Sequence, residues 1–551
     1  MNGVLDANVR GEIVPAPDRA RSVAPACVVL YLAMVAGLLF AILHRNGGVF
    51  TYTLDDPYIH LALAGNLAHG HYGINHGEAS SPSSSIVWPF LLTPFMGLGW
   101  NMYVPLAWNV LFCATTAWVI GRIVDRIAGS LDQRPDFAKK NAAAETCGWL
   151  SWLERFALAA ALMLVANLAG LTFVGMEHGL QVLLAVVCAA GMMEAYARRP
   201  IPAWCLCAAV LGPMVRYENF ALTAAVALAL YGQQRVSAAV RLAALSAAGP
   251  VLFSLFLLSR GLPALPTSVL VKGKAYSLAR GEALNAIRSI YWGVNVGTMR
   301  EYAWWGQLAV ALLLGWLAAR ERDRVRQYVL GGALLAALLQ LAVGRVNWFH
   351  RYEVYALVFT ALVASAALAE RTRLRREVLV AGLLLVGAPY ALAVWETPAA
   401  AGNVYQQQYQ MQRFEADYYR RNVAVNDLGW VSYRRPAGAY VLDLWGLASP
   451  EASRQPYKDA DWLDTITTQH AAGLAMIYPD WYQEGAPDDW EPLATMCIGG
   501  RRISAGRPCV VFYSTGVGDK ALLTAEIAAF ARTLPQGVRM TLGKDSTDTD
   551  E

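Results

Sequence analysis

The chain of 551 residues is predicted to be an α-helical polytopic membrane protein, with about eleven transmembrane helices and a C-terminal extracytoplasmic α/β domain. Three observations carry this. Hydrophobic residues make up 56% and charged residues only 16%, where soluble domains carry about 25% charge. Apolar segments of helical length recur from residue 24 to residue 395. Beyond 397 the composition changes to a polar mixture with short alternating apolar runs. The mean hydropathy of +0.34 and 18 Trp agree with an integral membrane protein. A net charge of +4 is too small to point to nucleic acid.

Residues 1–23 form a polar cytoplasmic tail with Arg10, Arg19 and Arg21. The first apolar segment, 24–43, is uncharged. At about 20 residues it exceeds the roughly 7–15 of a signal-peptide core, so it reads as a retained first span. Further spans are expected at 103–121, 156–171, 179–196, 202–214, 219–232, 242–259, 303–319, 328–343, 354–369 and 377–395. Arg216 and Glu218 interrupt the pair between 202 and 232. Basic clusters at Arg122/Arg126/Lys139/Lys140, Arg198/Arg199, Arg235/Arg241, Arg320/Arg322/Arg324/Arg326 and Arg371/Arg373/Arg375/Arg376 then share the side of the N-terminus. The excess of Lys and Arg marks that side as cytoplasmic, in a multi-pass protein of the cytoplasmic (inner) membrane. An odd number of spans leaves 397–551 outside. The transmembrane domain is 24–396, with a long first outer loop at 45–102.

That loop opens with Thr53-Leu54-Asp55-Asp56-Pro57-Tyr58-Ile59-His60 and continues as an expected amphipathic helix to Ala68. The serine run at 80–85 reads as a flexible loop. The apolar stretch 86–98 is too short to span and is expected to lie in the membrane interface or to re-enter. In the outer domain, 423–425, 440–444 and 510–513 read as strands, and 461–471 and 519–533 as helices. Cys497 and Cys509 stand twelve positions apart around Gly499-Gly500, suited to a hairpin disulfide in an oxidising compartment.

The polar motifs fall on the outer side. They are Asp55-Asp56, Asn75-His76-Gly77-Glu78, Gly175-Met176-Glu177-His178, Arg216-Tyr217-Glu218-Asn219, Pro266-Thr267-Ser268 with Lys272 and Lys274, and Arg345 with His350-Arg351-Tyr352-Glu353. Adjacent carboxylates beside a bilayer are costly and are functional candidates. The structural alternative is that Asp55 caps the helix starting at Pro57. Acids and bases converging at one membrane face suggest a cavity that handles a charged group. His60, His69, His71 and His76 match no zinc spacing. A carboxylate pair also suits Mg²⁺ or Ca²⁺, but no cofactor is assigned.

In order and spacing these stretches, with Asn426-Asp427-Leu428-Gly429 and Leu442-Asp443-Leu444-Trp445-Gly446-Leu447, resemble the GT-C superfamily of integral membrane glycosyltransferases. The likeness is to its bacterial branch of terminal arabinofuranosyltransferases and extends along nearly the whole chain. Thr267-Ser268 stand where that family often has Asn-Thr, and His178 where it often has Thr, which leaves the sugar open. The resemblance implies a GT-C-like fold and an inverting transfer from a polyprenyl-phosphate sugar to a cell-envelope glycan, glycolipid or protein. Asp55 or Asp56 would be the general base, Asp55 favoured. Arg351 suits the departing phosphate through its planar fork of donors, with Lys272 and Arg216 as further cations. Glu177, His350, Tyr352 and Tyr58 complete the substrate-binding set. Each has a structural alternative: Arg351 snorkelling to the interface, Lys272 a solvated loop residue, Arg216 and Glu218 pairing with other spans, and Glu177 a helix-end acid. Tyr, Trp and Gln near 405–412, 430 and 445 suit sugar contact. The rival readings are a polymerase or ligase using a lipid-pyrophosphate oligosaccharide, and a non-enzymatic envelope transporter or assembly protein.

Overall fold

The computed structural model describes residues 21–132, 152–272, 296–371 and 376–543. Lys139, Lys140, Lys274, Arg10, Arg19, Arg373 and Arg375 lie outside the described residues. Among those described, eight helices are long and apolar enough to cross a membrane: Ala24–Arg45, Asn101–Gly129, Trp152–Val174, His178–Tyr196, Val236–Ser259, Tyr302–Ala319, Arg324–Val343 and part of Glu377–Tyr419. The remaining expected segments are the shorter helices Ala203–Val215, Phe220–Gly232 and Val354–Arg371. The first two form a hairpin. Helix Ala203–Val215 ends where Arg216 takes an extended conformation, and the single turn Tyr217–Asn219 starts the return. Placing Arg216 and Glu218 at this break keeps their charges out of the apolar helix bodies.

The helices pack through small residues, as helices in lipid do. A Cβ on Gly332 would lie 2.7 Å from the Ala225 carbonyl oxygen, so helix Arg324–Val343 touches the backbone of Phe220–Gly232. Ion pairs gather at one end of the bundle. Arg155 pairs with Asp125 at 2.9 Å, Arg199 with Glu194 at 3.0 Å and Arg326 with Glu370 at 2.9 Å. The motifs around Asp55, Glu177, Arg216, Thr267 and Arg351 all sit at the opposite end.

A small sheet domain covers that opposite end. Its six strands are β1 (Val423–Val425), β2 (Val441–Asp443), β3 (Leu474–Ile477), β4 (Glu491–Cys497), β5 (Cys509–Ser514) and β6 (Arg539–Leu542), in the order β2-β1-β3-β5-β4-β6. β1 runs parallel to β2 and β3, and the other pairings are antiparallel. Cys497 and Cys509 are disulfide-bonded at the loop end of the β4–β5 hairpin, a closure that stabilises by about 3 kcal/mol in the chain-entropy view. Helices Ala460–Gln469 and Lys520–Ala531 begin at Asp459 and Asp519, whose carboxylates accept the Trp462 and Leu522 N–H groups. Helix Arg376–Gln406 runs from the bundle into this domain, across position 397.

Two parts of the first outer loop differ from expectation. Helix Asp56–Leu67 is not amphipathic. Pro57, Tyr58, Ile59, His60, Leu61, Leu63 and Ala64 are all buried, because the helix is sandwiched between bundle and sheet domain. The serine run is not a flexible loop either. Ser80, Ser81, Ser83 and Ser85 are buried. Ser81 Oγ accepts the Thr267 N–H at 3.0 Å, and Ser84 Oγ accepts from Arg216 at 3.2 Å. Short hydroxyl side chains here satisfy buried polar groups rather than confer mobility.

Asn75 joins the loop to the sheet. Its Nδ2 donates to the Val441 carbonyl at 2.9 Å and its Oδ1 accepts the Val441 N–H at 3.1 Å. Its side chain thus completes the outer edge of β2, the edge strand of the sheet among the described residues. Arg435 also donates to Asn75 at 2.6 Å, and the Tyr440 hydroxyl to Glu78 at 2.6 Å. Asn75→Ala strands this buried edge and is expected to cost about 1–3 kcal/mol, read as a lowered Tm.

Candidate functional site

A cavity of about 470 Å³ lies between the bundle and the sheet domain. The bundle side contributes Asp55, Asp56, Lys272, Arg345, Arg351 and Tyr352, with Trp348 at the margin. The sheet domain contributes Gln408, Asn426, Asp427, Trp445 and Trp481.

Asp56 is the first residue of helix Asp56–Leu67, and both its oxygens are occupied. Oδ1 accepts from Lys272 Nζ at 2.6 Å and Oδ2 from Arg351 at 2.9 Å. Burial opposes the carboxylate form, but Lys272 and Arg351 prevail and hold the carboxyl far below its ordinary range. Asp55 faces the other way. Its Oδ2 accepts the Gly429 N–H at 2.7 Å and its Oδ1 the Trp430 N–H at 2.9 Å. It makes no side-chain cap on its own helix; it caps helix Gly429–Ser432 of the sheet domain instead. A Cβ on Gly429 would lie 2.5 Å from the Asp55 carboxyl carbon, so only glycine permits the approach. Burial, with the charge of Asp427 adding, pushes the Asp55 carboxyl well up.

Arg351 follows an unusual turn. Asn347, Trp348, Phe349 and His350 all have left-handed backbones, with φ of 71°, 51°, 62° and 50°. Non-glycine residues pay roughly 1–2 kcal/mol each for this conformation, so the surroundings must impose it. Glu353 accepts the Asn347 N–H at 2.9 Å and pairs with His350 at 3.1 Å. Asn347 Nδ2 donates to Glu301 at 2.7 Å, and Asn167 Nδ2 to the His350 carbonyl at 3.1 Å. The turn delivers Arg351 into the cavity with 1% exposure. His350 itself turns away, its ring edge-on to Tyr390.

Tyr352 sits among three guanidinium groups. Arg351, Arg216 and Arg345 lie 4.8, 5.3 and 5.6 Å from its ring centre, and Arg351 donates to its hydroxyl at 2.8 Å. Burial opposes the phenolate, yet Arg351, Lys272 and Arg345 bring the phenol down to about 8. Arg216 is fully engaged by Glu177 at 2.7 Å and Glu218 at 2.7 Å, so with Glu177 it forms a buried support behind the cavity rather than part of its lining. Arg345 lines the cavity and stands near enough to Glu218 that, against burial and behind Arg216, it helps hold that carboxyl below its ordinary range.

Tyr58 is a packing residue. Its ring stacks on Trp430 at 4.0 Å and its hydroxyl accepts the Tyr52 N–H at 3.0 Å. Trp430 is buried by the same contact and presents no face to a sugar. His69 and His71 bond to the Gly65 and Asn75 carbonyls. No three His, Cys, Asp or Glu side chains converge as a metal-ligand set among the described residues.

Arg345, Trp348, Asp427 and Trp481 join the cavity beyond the catalytic and substrate-binding residues expected from sequence, while Gln408 and Trp445 fall in the stretches expected to contact sugar. Asp427 Oδ2 accepts from Gln408 at 2.7 Å and from the Tyr478 hydroxyl at 2.7 Å. Trp445 stands on a loop fixed by the buried Asp443, which accepts the N–H groups of Trp445, Gly446 and Ala448. The signal for both lay in the Asn426-Asp427-Leu428-Gly429 and Leu442–Leu447 stretches. Nothing in the sequence marks Trp481.

The family described as a domain of unknown function (DUF8728) matches residues 401–513, the segment that carries Gln408, Asp427, Trp445 and Trp481. No curated protein matches the chain. Among solved structures, the chain is similar to the Archaeoglobus fulgidus oligosaccharyltransferase in complex with Zn and sulfate, at a TM-score of 0.48 and 10% identity, over 89% of this chain and 73% of that one.

Proposed function

We propose that this protein is a membrane glycosyltransferase that moves a monosaccharide from a polyprenyl-phosphate donor to a hydroxyl of a cell-envelope glycan, glycolipid or protein. The observation that carries the reading is the cation group formed by Lys272, Arg345 and Arg351 around Tyr352, at the membrane end of a covered cavity. A phosphodiester donor brings one negative charge, and its departing phosphate gains a second. Lys272 and Arg351 share the single carboxylate of Asp56, and Arg345 stands beside them, which leaves positive charge at this end of the cavity to meet that gain. Preorganised charge of this kind, shielded from water, is the strongest contribution a protein makes to such a step. The lipid tail would run among the helices below. The basic end of the bundle belongs in the cytoplasm, so the cavity and the sheet domain face outward across the cytoplasmic membrane of a bacterium. The reading agrees with what the resemblance to GT-C glycosyltransferases implies.

The test is release of free polyprenyl phosphate by the purified protein, given a panel of polyprenyl-phosphate sugars and crude envelope acceptor. Release with one donor and not others supports the reading and names the sugar. Turnover only with a lipid-pyrophosphate oligosaccharide would replace it with a polymerase or ligase. A pH dependence is also expected. Tyr352 is neutral below its pKa of about 8 and becomes a phenolate above it. The phenolate cancels one cation and repels the phosphate, so the donor KM should rise as pH passes through about 8. Tyr352→Phe should remove that rise, measured by donor saturation between neutral and alkaline pH.

A further inference from the structure

We infer that Asp427, on the sheet-domain wall of the cavity, is the general base that takes the proton from the acceptor hydroxyl. The inference rests on the glycosyl-transfer reading above and assigns the base of that same site. An inverting displacement has a spatial requirement: the acceptor oxygen attacks the anomeric carbon from the side opposite the departing phosphate. The cations that hold the phosphate, Lys272 and Arg351, are the same groups that occupy both oxygens of Asp56. Asp56 therefore stands with the leaving group, as a carboxylate each of whose oxygens already accepts from a cation. Asp55 spends both oxygens on backbone N–H groups.

Asp427 differs on each count. It lines the same cavity from the opposite domain. Its Oδ2 is fixed by Gln408 and Tyr478, while its Oδ1 accepts no hydrogen bond among the described residues. One oxygen oriented and one free is the arrangement a positioned base needs. Burial raises the carboxyl above its ordinary range against the pull of Tyr478 and Gln408, and the charges of Asp56 and Asp443 add to the rise, which strengthens it as a proton acceptor. Trp445 and Trp481 stand on the same wall, 4.9 Å apart between ring centres. Flat aromatic faces suit the C–H face of a sugar ring and place an acceptor glycan on Asp427's side. In the step, the acceptor oxygen bonds to the anomeric carbon and its proton passes to Asp427 Oδ1. The bond from the anomeric carbon to the phosphate oxygen breaks, and its electron pair leaves with the lipid phosphate.

The test uses full-length Asp427→Asn, with Asp56→Asn in parallel, and compares two nucleophiles: the acceptor, and azide, which has no proton to remove. Asp427→Asn is expected to lower kcat for acceptor transfer by about 10²–10⁴-fold. Its donor KM should stay within about threefold of wild type, and it should still form the glycosyl azide with release of polyprenyl phosphate. Acceptor transfer within about threefold of wild type would overturn the inference. So would loss of the azide product together with transfer, which marks a structural role, or azide rescue seen in Asp56→Asn instead. Absence of release by wild type with every donor would overturn the glycosyl-transfer reading itself and the inference with it, an outcome distinct from the other three.

Discussion

Arg351→Ala is expected to lower kcat by about 10²–10³-fold, the loss typical of removing one preorganised donor to developing charge. The effect should fall on the chemical step as well as on donor affinity. Arg351 bonds both Asp56, at 2.9 Å, and the Tyr352 hydroxyl, at 2.8 Å, so its removal loosens the cation group. Arg351→Lys should recover little of the loss. An ammonium replaces the charge but not the planar fork that reaches two partners at once. Pre-steady-state release of lipid phosphate measures the chemical step, and donor titration measures affinity. The left-handed turn from Asn347 to His350 is built to place this side chain. Glu353→Ala, which removes the acceptor of the Asn347 N–H, should therefore produce a weaker version of the same phenotype.

Asp55→Ala should act on a different quantity. The substitution leaves the buried N–H groups of Gly429 and Trp430 without acceptors, at about 1–3 kcal/mol each. These bonds join the first outer loop to the sheet domain, so the expected result is a lower Tm and faster hydrogen exchange around residues 426–433. Activity should fall in proportion to undocking. Asp55→Asn retains one acceptor oxygen and should recover part of the stability. Asp55 and Asp56 are adjacent in sequence but point to opposite neighbours, and these variants separate their roles. Loss of activity in Asp55→Asn with unchanged stability and exchange would give Asp55 a catalytic role.

The sequence made some of this legible for a definable reason. In an apolar chain each charged residue beside a helix carries an energetic cost, so Asp56, Arg216, Lys272 and Arg351 stood out, and the structure brings all four to one end of the bundle. The same contrast fails in the sheet domain. Asp427 is one acid in a polar segment, and its half-buried place in the cavity wall follows from its bonds to Gln408 and Tyr478 and from the docking of that domain onto Asp56–Leu67. Tyr58 stands in the substrate-binding set that the resemblance implies, yet a helix turns each residue about 100° from the last, which aims Tyr58 at Trp430. Serine composition could not distinguish a mobile loop from buried hydroxyls that satisfy Thr267 and Arg216. The sequence pattern leaves strands β3, β4 and β6 unmarked. β4 carries Pro492 and a register shift between Pro492 and Ala494, which breaks the alternation that marks a strand.

In the proposed reaction a lipid-linked phosphate rests on Lys272, Arg345 and Arg351 beneath the sheet domain. The most direct measurement is a cryo-EM map of the full-length protein in lipid nanodiscs with polyprenyl phosphate, the product that leaves that position. Phosphate density within hydrogen-bond reach of Arg351 and Lys272, with the isoprenoid chain descending among the helices, is the result expected. Phosphate bound instead at the basic end of the bundle, or a cavity left empty at saturating lipid, would contradict it.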